Sequence, residues 1–315
     1  MTGGIARAPE LRRWAAAIDR PDTFEPADRP RPAPPADQRP RKLAVTRLDR
    51  LKADPYAFYA QEMLRLSALD PVDAEPSPAW RGSAVHAVLE AWAKEDRCDP
   101  SKLADRAEKM LDGIAAHPVL RALWAPRLRE AIGWIADEML DALANGRKPL
   151  VAEVFGEAVL DGIRLYGKVD RIDRLPDGSL AIVDYKTGQP PAPRQVAAGY
   201  AMQLGLLGLI AERQGFAGID GKAAAFEYWS LAQKDGQLGH VAAATGKRAG
   251  IDPADFTALA HRNFTEAADR WLTGDAPFVA KLHPELAPYG DYDQLMRLDE
   301  WYGRQERAPD AGDAA

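Results

Sequence analysis

Cysteine is almost absent from this chain of 315 residues, which contains only Cys98. A lone cysteine excludes an internal disulfide framework and any metal site built from several cysteines, and it is typical of a reducing cytosol. Long apolar runs are missing too, because the longest, residues 197–211, is shorter than a membrane span and contains Gln203. No basic start followed by an apolar core marks a signal peptide. We therefore expect a cytoplasmic protein.

An excess of positive charge is also missing. The chain has 41 lysine and arginine residues against 47 aspartate and glutamate residues, a net charge of −6, so any nucleic-acid site must be local. The phosphate-binding pattern GxxxxGK followed by Ser or Thr does not occur, which excludes ATP hydrolysis by that route. The length leaves room for one large domain or two modest ones.

The first 42 residues differ in composition from the rest. A short helical pattern surrounds Trp14, and residues 19–42 are rich in proline and charge, which is typical of an extended linker. We expect residues 43–315 to form the compact domain, and the helix and linker before it suggest a piece of a longer protein. The end of the linker is locally basic, either as a solubilising segment or as an entrance that touches phosphates. The basic residues here are Arg39, Arg41, Lys42, Arg47, Arg50 and Lys52.

Two predicted strands, residues 163–174 and 179–187, flank the sequence Pro176-Asp177-Gly178. Proline and glycine in these places favour a type I turn closed by a residue with positive φ, and hence a three-residue loop. Such a loop fixes the register of the hairpin. The facing pairs are then Ile172 with Ile182, Asp170 with Asp184, and Lys168 with Lys186.

The facing aspartates are the unusual feature of this hairpin. Cβ atoms of facing residues are about 5 Å apart, and like charges there destabilise a sheet. A divalent cation removes the conflict, because carboxylate oxygens are the ligands that Mg²⁺ takes. The alternative is a solvated hairpin whose charges point at water. The metal interpretation depends on the turn, since one residue more or less would put the aspartates on opposite faces.

The remaining pattern predicts helices around a sheet. Residues 81–95 form an amphipathic helix that carries His86 and Glu90 one turn apart, although His86 taken alone is equally interpreted as structural. Residues 100–144 predict two or three helices of a bundle, and residues 193–214 one long helix on which Tyr200 and Gln203 share a face. Further strands are expected at 151–160, 223–231 and 239–243, and further helices at 252–273 and 292–304.

Collected together, Asp170 and the later Asp184-Tyr185-Lys186 make a D…(D/E)-x-K pattern on paired strands. With Gly82 to His86 upstream and Tyr200-x-x-Gln203 downstream, the chain resembles the PD-(D/E)xK nucleases and, within them, RecB-type nuclease domains. Residues 43–60 and 290–303 further resemble the C-terminal nuclease region of AddB subunits of AddAB helicase–nucleases. The resemblance implies an α/β fold with a restriction-endonuclease-like core, in which helices flank a mixed sheet, and an added helical bundle.

The resemblance also implies roles for individual residues. His86, Asp170, Asp184 and the backbone carbonyl of Tyr185 are expected to bind Mg²⁺, with Mn²⁺ as a possible substitute. Lys186 is expected to orient the attacking water, and Tyr200 and Gln203 to support the DNA or the strand that carries the motif. The catalytic residues are then Asp170, Asp184 and Lys186.

The implied function is an exonuclease that processes DNA double-strand breaks for recombinational repair. Its partners would be DNA ends, from which a helicase feeds a single strand, an AddA-like subunit and the remainder of AddB. Many relatives hold an iron–sulfur cluster with four cysteines, but Asp54 stands at the first position here and the tail has none, so no cluster is expected. Two alternatives stay open: a stand-alone RecB-like exonuclease, and a catalytically silent DNA-binding or scaffolding module.

Overall fold

The computed structural model describes residues 9–18, 27–69, 78–113, 118–287 and 290–302. The helices are α1 (Pro9–Ile18), α2 (Leu48–Ala53), α3 (Pro55–Phe58), α4 (Pro78–Asp96), α5 (Pro100–Gly113), α6 (Pro118–Ala144), α7 (Pro193–Ala197), α8 (Gln203–Glu212), α9 (Phe256–Ala267) and α10 (Leu298–Trp301). The strands are β1 (Lys42–Ala44), β2 (Lys148–Leu160), β3 (Ile163–Arg174), β4 (Leu180–Lys186), β5 (Ala223–Lys234) and β6 (Gln237–Ala243). Within the described ranges, no helix is both long enough and apolar enough to cross a membrane.

All six strands join in one mixed sheet in which β3 has three neighbours. β2 pairs with β3 in antiparallel orientation along its whole length. β1 runs parallel to the start of β3, at 164–166, and β4 runs antiparallel to its end, at 171–174. A strand has two edges, so β1 and β4 share the edge that β2 leaves, with residues 167–170 between them. β5 and β6 continue the sheet beyond β4.

The register predicted for the β3–β4 hairpin is confirmed where the two strands pair. Ile172 faces Ile182, and the turn has the expected form: Gly178 has φ +87° and its N–H donates to the Leu175 carbonyl. The ladder ends at Arg171 and Val183, however, because β4 then separates from β3. The expected facing positions of Asp170 with Asp184, and of Lys168 with Lys186, lie beyond this end and are not ladder pairs.

Two apolar cores cover the sheet. The larger packs β3 and β4 residues such as Val169 and Ile182 against α8 and α9. The smaller packs α4, α5 and α6 against Val183 and Trp229, which is the predicted helical bundle. In α4, the apolar stripe that ends at Trp92 is buried there. The bundle thereby holds α4, and with it His86, against the sheet.

The single long helix expected at 193–214 is wrong. The chain forms α7, leaves the helical conformation, and starts again at Gln203 with α8. Gly199 has φ +78° and Ala201 has φ +68°, a backbone conformation that interrupts a helix. Tyr200 therefore lies in the connection and does not share a helical face with Gln203.

The chain ends form a unit of their own, Met1–Pro30 with Tyr289–Ala315, while Arg31–Pro288 makes up the larger unit. The last helix is much shorter than expected, since Arg297 at φ +55° directly precedes α10. Leu295, placed in the predicted apolar stripe with Tyr292, Leu298 and Trp301, is 48% exposed. Residues 303 and 304 of that predicted helix lie outside the described residues. The division at residue 42 stays a prediction.

Candidate active site

The predicted carboxylates meet where β4 leaves β3. Instead of continuing the ladder, the Tyr185 backbone N–H donates to Oδ2 of Asp170 at 2.8 Å. This bond fixes the orientation of the Asp170 side chain at the point of separation. Asp184, one residue earlier on β4, is 3% exposed. The two strands thus deliver both aspartates to one end of the hairpin, as their order in the sequence predicts.

Two side chains hold Asp184 from opposite directions. Gln203, the first residue of α8, donates from Nε2 to Oδ1 of Asp184 at 2.9 Å. Lys186 Nζ lies 2.7 Å from Oδ2 of the same carboxylate. The sequence places Gln203 beside the strand that carries the motif for a wrong reason, a shared helical face with Tyr200, yet the contact exists because α8 begins there.

His86 reaches the site from α4. Its Nδ1 lies 4.0 Å from Oδ2 of Asp170, and its side chain is 39% exposed. Its helical neighbour Glu90 does not contact it in the described structure; Glu90 Oε2 instead forms an ion pair with Lys168 Nζ at 3.1 Å. The helix thus contributes one imidazole to the site and one carboxylate to its border.

Glu153 of β2 is a third carboxylate at the site, and the sequence analysis missed it. Neighbouring pairs Ala152 with Arg171 and Val154 with Val169 put it opposite Asp170. His86, Glu153 and Asp170 each offer one ligand atom, and these atoms lie within 4.8 Å of one another. The sequence carried the signal: the Asp161-Gly162 turn pairs Leu160 with Ile163, and counting back from that pair reaches this one.

The Glu153 backbone is unusual for a strand residue. Its φ is +56°, a left-handed value that costs a residue with a side chain about 1 kcal/mol or more. The side chain is buried, and while Oε2 pairs with Lys168 Nζ at 2.6 Å, Oε1 has no hydrogen-bond partner among the described residues. A buried carboxylate oxygen without a partner is costly. It points to a group that binds there.

The electrostatics indicate what that group is. Burial, and next the charge of Asp184, raise the pKa of Asp170 to about 8, although the Tyr185 N–H and Lys186 act in the other direction. Burial also raises the pKa of Asp184, against the effects of Lys186 and His86. Clustered carboxylates that cannot all ionise are stabilised by a cation. The carboxylates and imidazole present here therefore fit a hard divalent metal ion.

A buried charge network lies behind the site. The Arg171 guanidinium binds Asp173 at 2.9 Å and the Tyr185 hydroxyl, and it lies 4.1 Å from the centre of the Trp229 ring. Arg147 joins the same carboxylate at 2.6 Å. Asp173 thereby neutralises two arginines in the core, as buried charges require. The network fixes the Tyr185 ring, and so the backbone N–H that holds Asp170.

Tyr200 is the predicted site residue that the structure keeps apart. Lys52 Nζ lies 4.4 Å from the centre of its ring, and its ring is 6.1 Å from that of His283. None of its described contacts is with Asp170 or Asp184. A supporting role for Tyr200 stays a prediction, separate from the contacts that Gln203 makes.

The arrangement of a hairpin with two aspartates and a lysine, a helix with a histidine and a mixed sheet can now be set beside known proteins. A model of the PD-(D/E)XK nuclease superfamily matches residues 42–283. The chain belongs to the PD-(D/E)XK nuclease superfamily. The match includes every candidate ligand from His86 to Asp184, as well as Lys186, and the mixed sheet flanked by helices is the fold of this superfamily. Its members are hydrolases that generally use divalent metals.

Relatives of this superfamily member are distant. It is 28% identical over 188 residues to an uncharacterized protein of Rickettsia bellii, which covers 56% of this chain and 22% of that protein. It is 31% identical over 163 residues to an ATP-dependent helicase/deoxyribonuclease subunit of Streptococcus mutans, which covers 49% of this chain and 15% of that protein. The chain thus matches less than a quarter of the length of these curated relatives.

Among solved structures, a candidate exonuclease from Eubacterium rectale aligns with a TM-score of 0.47 and 13% identity. The alignment covers 81% of this chain and 90% of that one.

Proposed function

We propose that this protein is a Mg²⁺-dependent deoxyribonuclease, with Mn²⁺ as a possible substitute, that hydrolyses phosphodiester bonds at DNA ends. The observation that carries the proposal is the convergence of His86, Glu153, Asp170 and Asp184 beside Lys186. The raised pKa of Asp170 and the unpartnered Oε1 of Glu153 support a cation as the missing partner. Superfamily membership supports DNA as the substrate.

The proposed metal ligands are Asp170, Asp184, His86 and Glu153, with the carbonyl of Tyr185 as the further ligand expected from the sequence. A divalent cation supplies a water activated for attack and stabilises the charge that builds on the scissile phosphate. The Lys186 ammonium, beside Asp184, donates hydrogen bonds toward that water and the phosphate oxygens, where charge develops. Gln203 keeps Asp184 oriented, and the Tyr185 N–H does the same for Asp170.

We further propose that the protein acts as the nuclease module of an AddB-like subunit in processing double-strand breaks for recombinational repair. The likeness to the streptococcal helicase/deoxyribonuclease supports this role, and with it exonuclease action and a cytoplasmic location. The partners are then DNA ends, an AddA-like helicase and the rest of the AddB-like chain. A stand-alone RecB-like exonuclease and a silent DNA-binding module are the competing functions. Copurification of a helicase subunit with the native protein distinguishes the first of these from the proposal.

Cleavage of end-labelled linear DNA tests the proposed chemistry. We expect the wild-type protein to cut single-stranded DNA with Mg²⁺ or Mn²⁺ and not with EDTA. Asp184→Ala and Lys186→Ala should each lower the rate by a factor of about 100 or more, because each removes a group that acts on the reacting phosphate. Asp235→Ala, in the exposed β5–β6 turn, is the control and should cut at the wild-type rate.

Three results bear differently on the proposal. Cleavage that disappears in both site variants and is kept in the control supports it. A wild-type protein that binds Mn²⁺ but cuts only after an AddA-like subunit is added supports the AddB-like role. Metal-dependent cleavage that survives Asp184→Ala contradicts the assigned site, and an inert protein that binds DNA but no metal favours the silent module.

A further inference from the structure

A basic cleft lies beside the start of β1 and β3. Its volume is about 810 Å³. Strand ends, the segment before β1 and the turn after α3 form its walls, all in the larger unit of the chain. The residues that give the cleft its character are Tyr59, Tyr166, Arg41, Lys42, Arg65 and Arg164.

The cations of this cleft are not neutralised by the protein. Arg41, Lys42 and Arg65 are exposed, and their side chains form no ion pair or hydrogen bond within the described ranges. Arg164 has one loose contact, 3.6 Å from exposed Glu157. The acid that lines the cleft, Glu62, is already bound to Arg47 at 3.1 Å. The cleft therefore carries excess positive charge in a protein whose net charge is negative.

The sheet brings two of these cations side by side. In the parallel β1–β3 ladder, Lys42 is the register partner of Arg164, and Ala44 that of Tyr166. Neighbouring strands are about 4.8 Å apart, so two like charges on the same face repel each other unless an anion lies between them. The aspartates at the other end of β3 pose the same problem with the opposite sign.

β3 connects the cleft with the candidate active site. Along its first eight residues, buried side chains alternate with more exposed ones, so Arg164, Tyr166, Lys168 and Asp170 share one face. At about 3.3 Å per residue, Tyr166 is roughly 13 Å from Asp170 and Arg164 roughly 20 Å. Residues 167–170 between β1 and β4 leave the strand edge open along this path. A chain of phosphates can therefore follow the strand from one site to the other.

We propose that the cleft binds a single strand of nucleic acid and leads it to the carboxylates. This rests on the proposed nuclease function and adds the binding track. Cations spread over the cleft and along β3 match successive phosphates better than one small anion, which two cations would satisfy. Tyr59 and Tyr166 offer rings on which unpaired bases stack, a surface that bases in a duplex do not expose to a protein. The occupant is thus a single strand of several nucleotides.

Fluorescence anisotropy with labelled oligothymidylate in EDTA tests the track without any cleavage. The variant Lys42→Ala/Arg164→Ala should bind at least tenfold more weakly, and the slope of log affinity against log salt should fall by about 1.4, or 0.7 for each phosphate whose cation is removed. Tyr166→Leu should weaken binding about tenfold and leave that slope unchanged, because it removes stacking and no charge. Arg213→Ala/Lys222→Ala removes the same charge from exposed positions elsewhere and should bind as the wild type does.

Equal losses of affinity in the two double variants would overturn the proposal, since they would indicate general attraction to a charged surface. So would equally strong competition by blunt duplex DNA. A readout that needs no variant is photocrosslinking of an iodouracil oligonucleotide to the wild-type protein: we expect crosslinks at Tyr166 or Tyr59, and crosslinks confined to other regions would contradict the track. Binding in the cleft by a protein that cuts no DNA supports the track and contradicts the nuclease. Cleavage by a protein whose cleft variants bind normally does the reverse.

Discussion

In the metal-free protein, Asp170→Asn should remove much of the dependence of stability on pH between about pH 4 and pH 8. Burial and the neighbouring Asp184 charge raise the pKa of Asp170 to about 8 from an ordinary value of 3.8. Between these two values the unfolded chain loses the Asp170 proton while the folded protein keeps it. Stability therefore falls as pH rises, and it levels off above the folded pKa. Asparagine cannot ionise, but its amide oxygen can still accept the Tyr185 N–H.

The size of the effect follows from the pKa shift. One unit corresponds to about 1.4 kcal/mol, so a shift of about four units limits the loss to roughly 6 kcal/mol. Asp184 shares the repulsion, and its pKa is raised as well, so the measured loss should be a few kcal/mol. Relative to the wild type, the variant should thus gain stability steadily from acidic to mildly alkaline pH.

Urea unfolding in EDTA at several pH values from about 5 to 8 measures this directly. We expect the wild-type free energy of unfolding to fall relative to that of Asp170→Asn as pH rises, and we expect saturating Mn²⁺ to restore the wild type but not the variant. Asp235→Asn, in an exposed turn, is the matched control and should follow the wild type. Parallel curves for the wild type and Asp170→Asn would refute the reasoning, because the aspartate would then carry no strained charge in the folded state.

Three further outcomes follow from the structure. Glu153→Gln should weaken Mn²⁺ binding in calorimetry by at least about tenfold, as loss of a ligand requires, while exposed Glu130→Gln should not change it. Arg171→Met leaves Asp173 with one cation in the core and should lower the free energy of unfolding by about 3 kcal/mol in urea titration. Asp54→Ala should cost about 3–5 kcal/mol, because buried Lys281 loses its carboxylate partner 3.7 Å away; an unchanged midpoint in either case would contradict the assigned network.

Local chemistry was sufficient to predict the central hairpin. The Pro-Asp-Gly turn fixed the facing pair Ile172 and Ile182, and the bounds of β3 agree with the prediction. The end of the ladder was not predictable in this way, since β4 separates from β3 where the Tyr185 N–H exchanges a strand partner for the Asp170 carboxylate. A register rule describes paired strands and does not say where pairing stops.

The missed and misplaced site residues have different causes. Glu153 needed two hairpin registers combined, because β3 pairs with β2 on one edge and with β4 on the other. Tyr200 was misplaced because apolar periodicity continued across Gly199 and Ala201, whose positive φ values break the helix. A glycine permits such a break without requiring one, so the sequence alone left both conformations open.

Asp54 shows what stands at one expected cluster position. The residue that replaces the first cysteine caps α3 by accepting the Ala57 N–H and also accepts the Lys281 N–H, both at 3.1 Å. It thus connects two segments far apart in the sequence, where the sequence analysis expected packing of the final helix to do so. The contact joins residues 227 positions apart, and nothing local in the sequence indicates it.

The account depends on a divalent cation held where β4 leaves β3, and a crystal saturated with Mn²⁺ tests this most directly. An anomalous difference map should show a peak about 2.0–2.2 Å from a carboxylate oxygen of Asp170, with at least one further ligand from Asp184, Glu153 or His86. A peak bonded only to other residues, or none at this end of the hairpin under saturating Mn²⁺, would contradict the account.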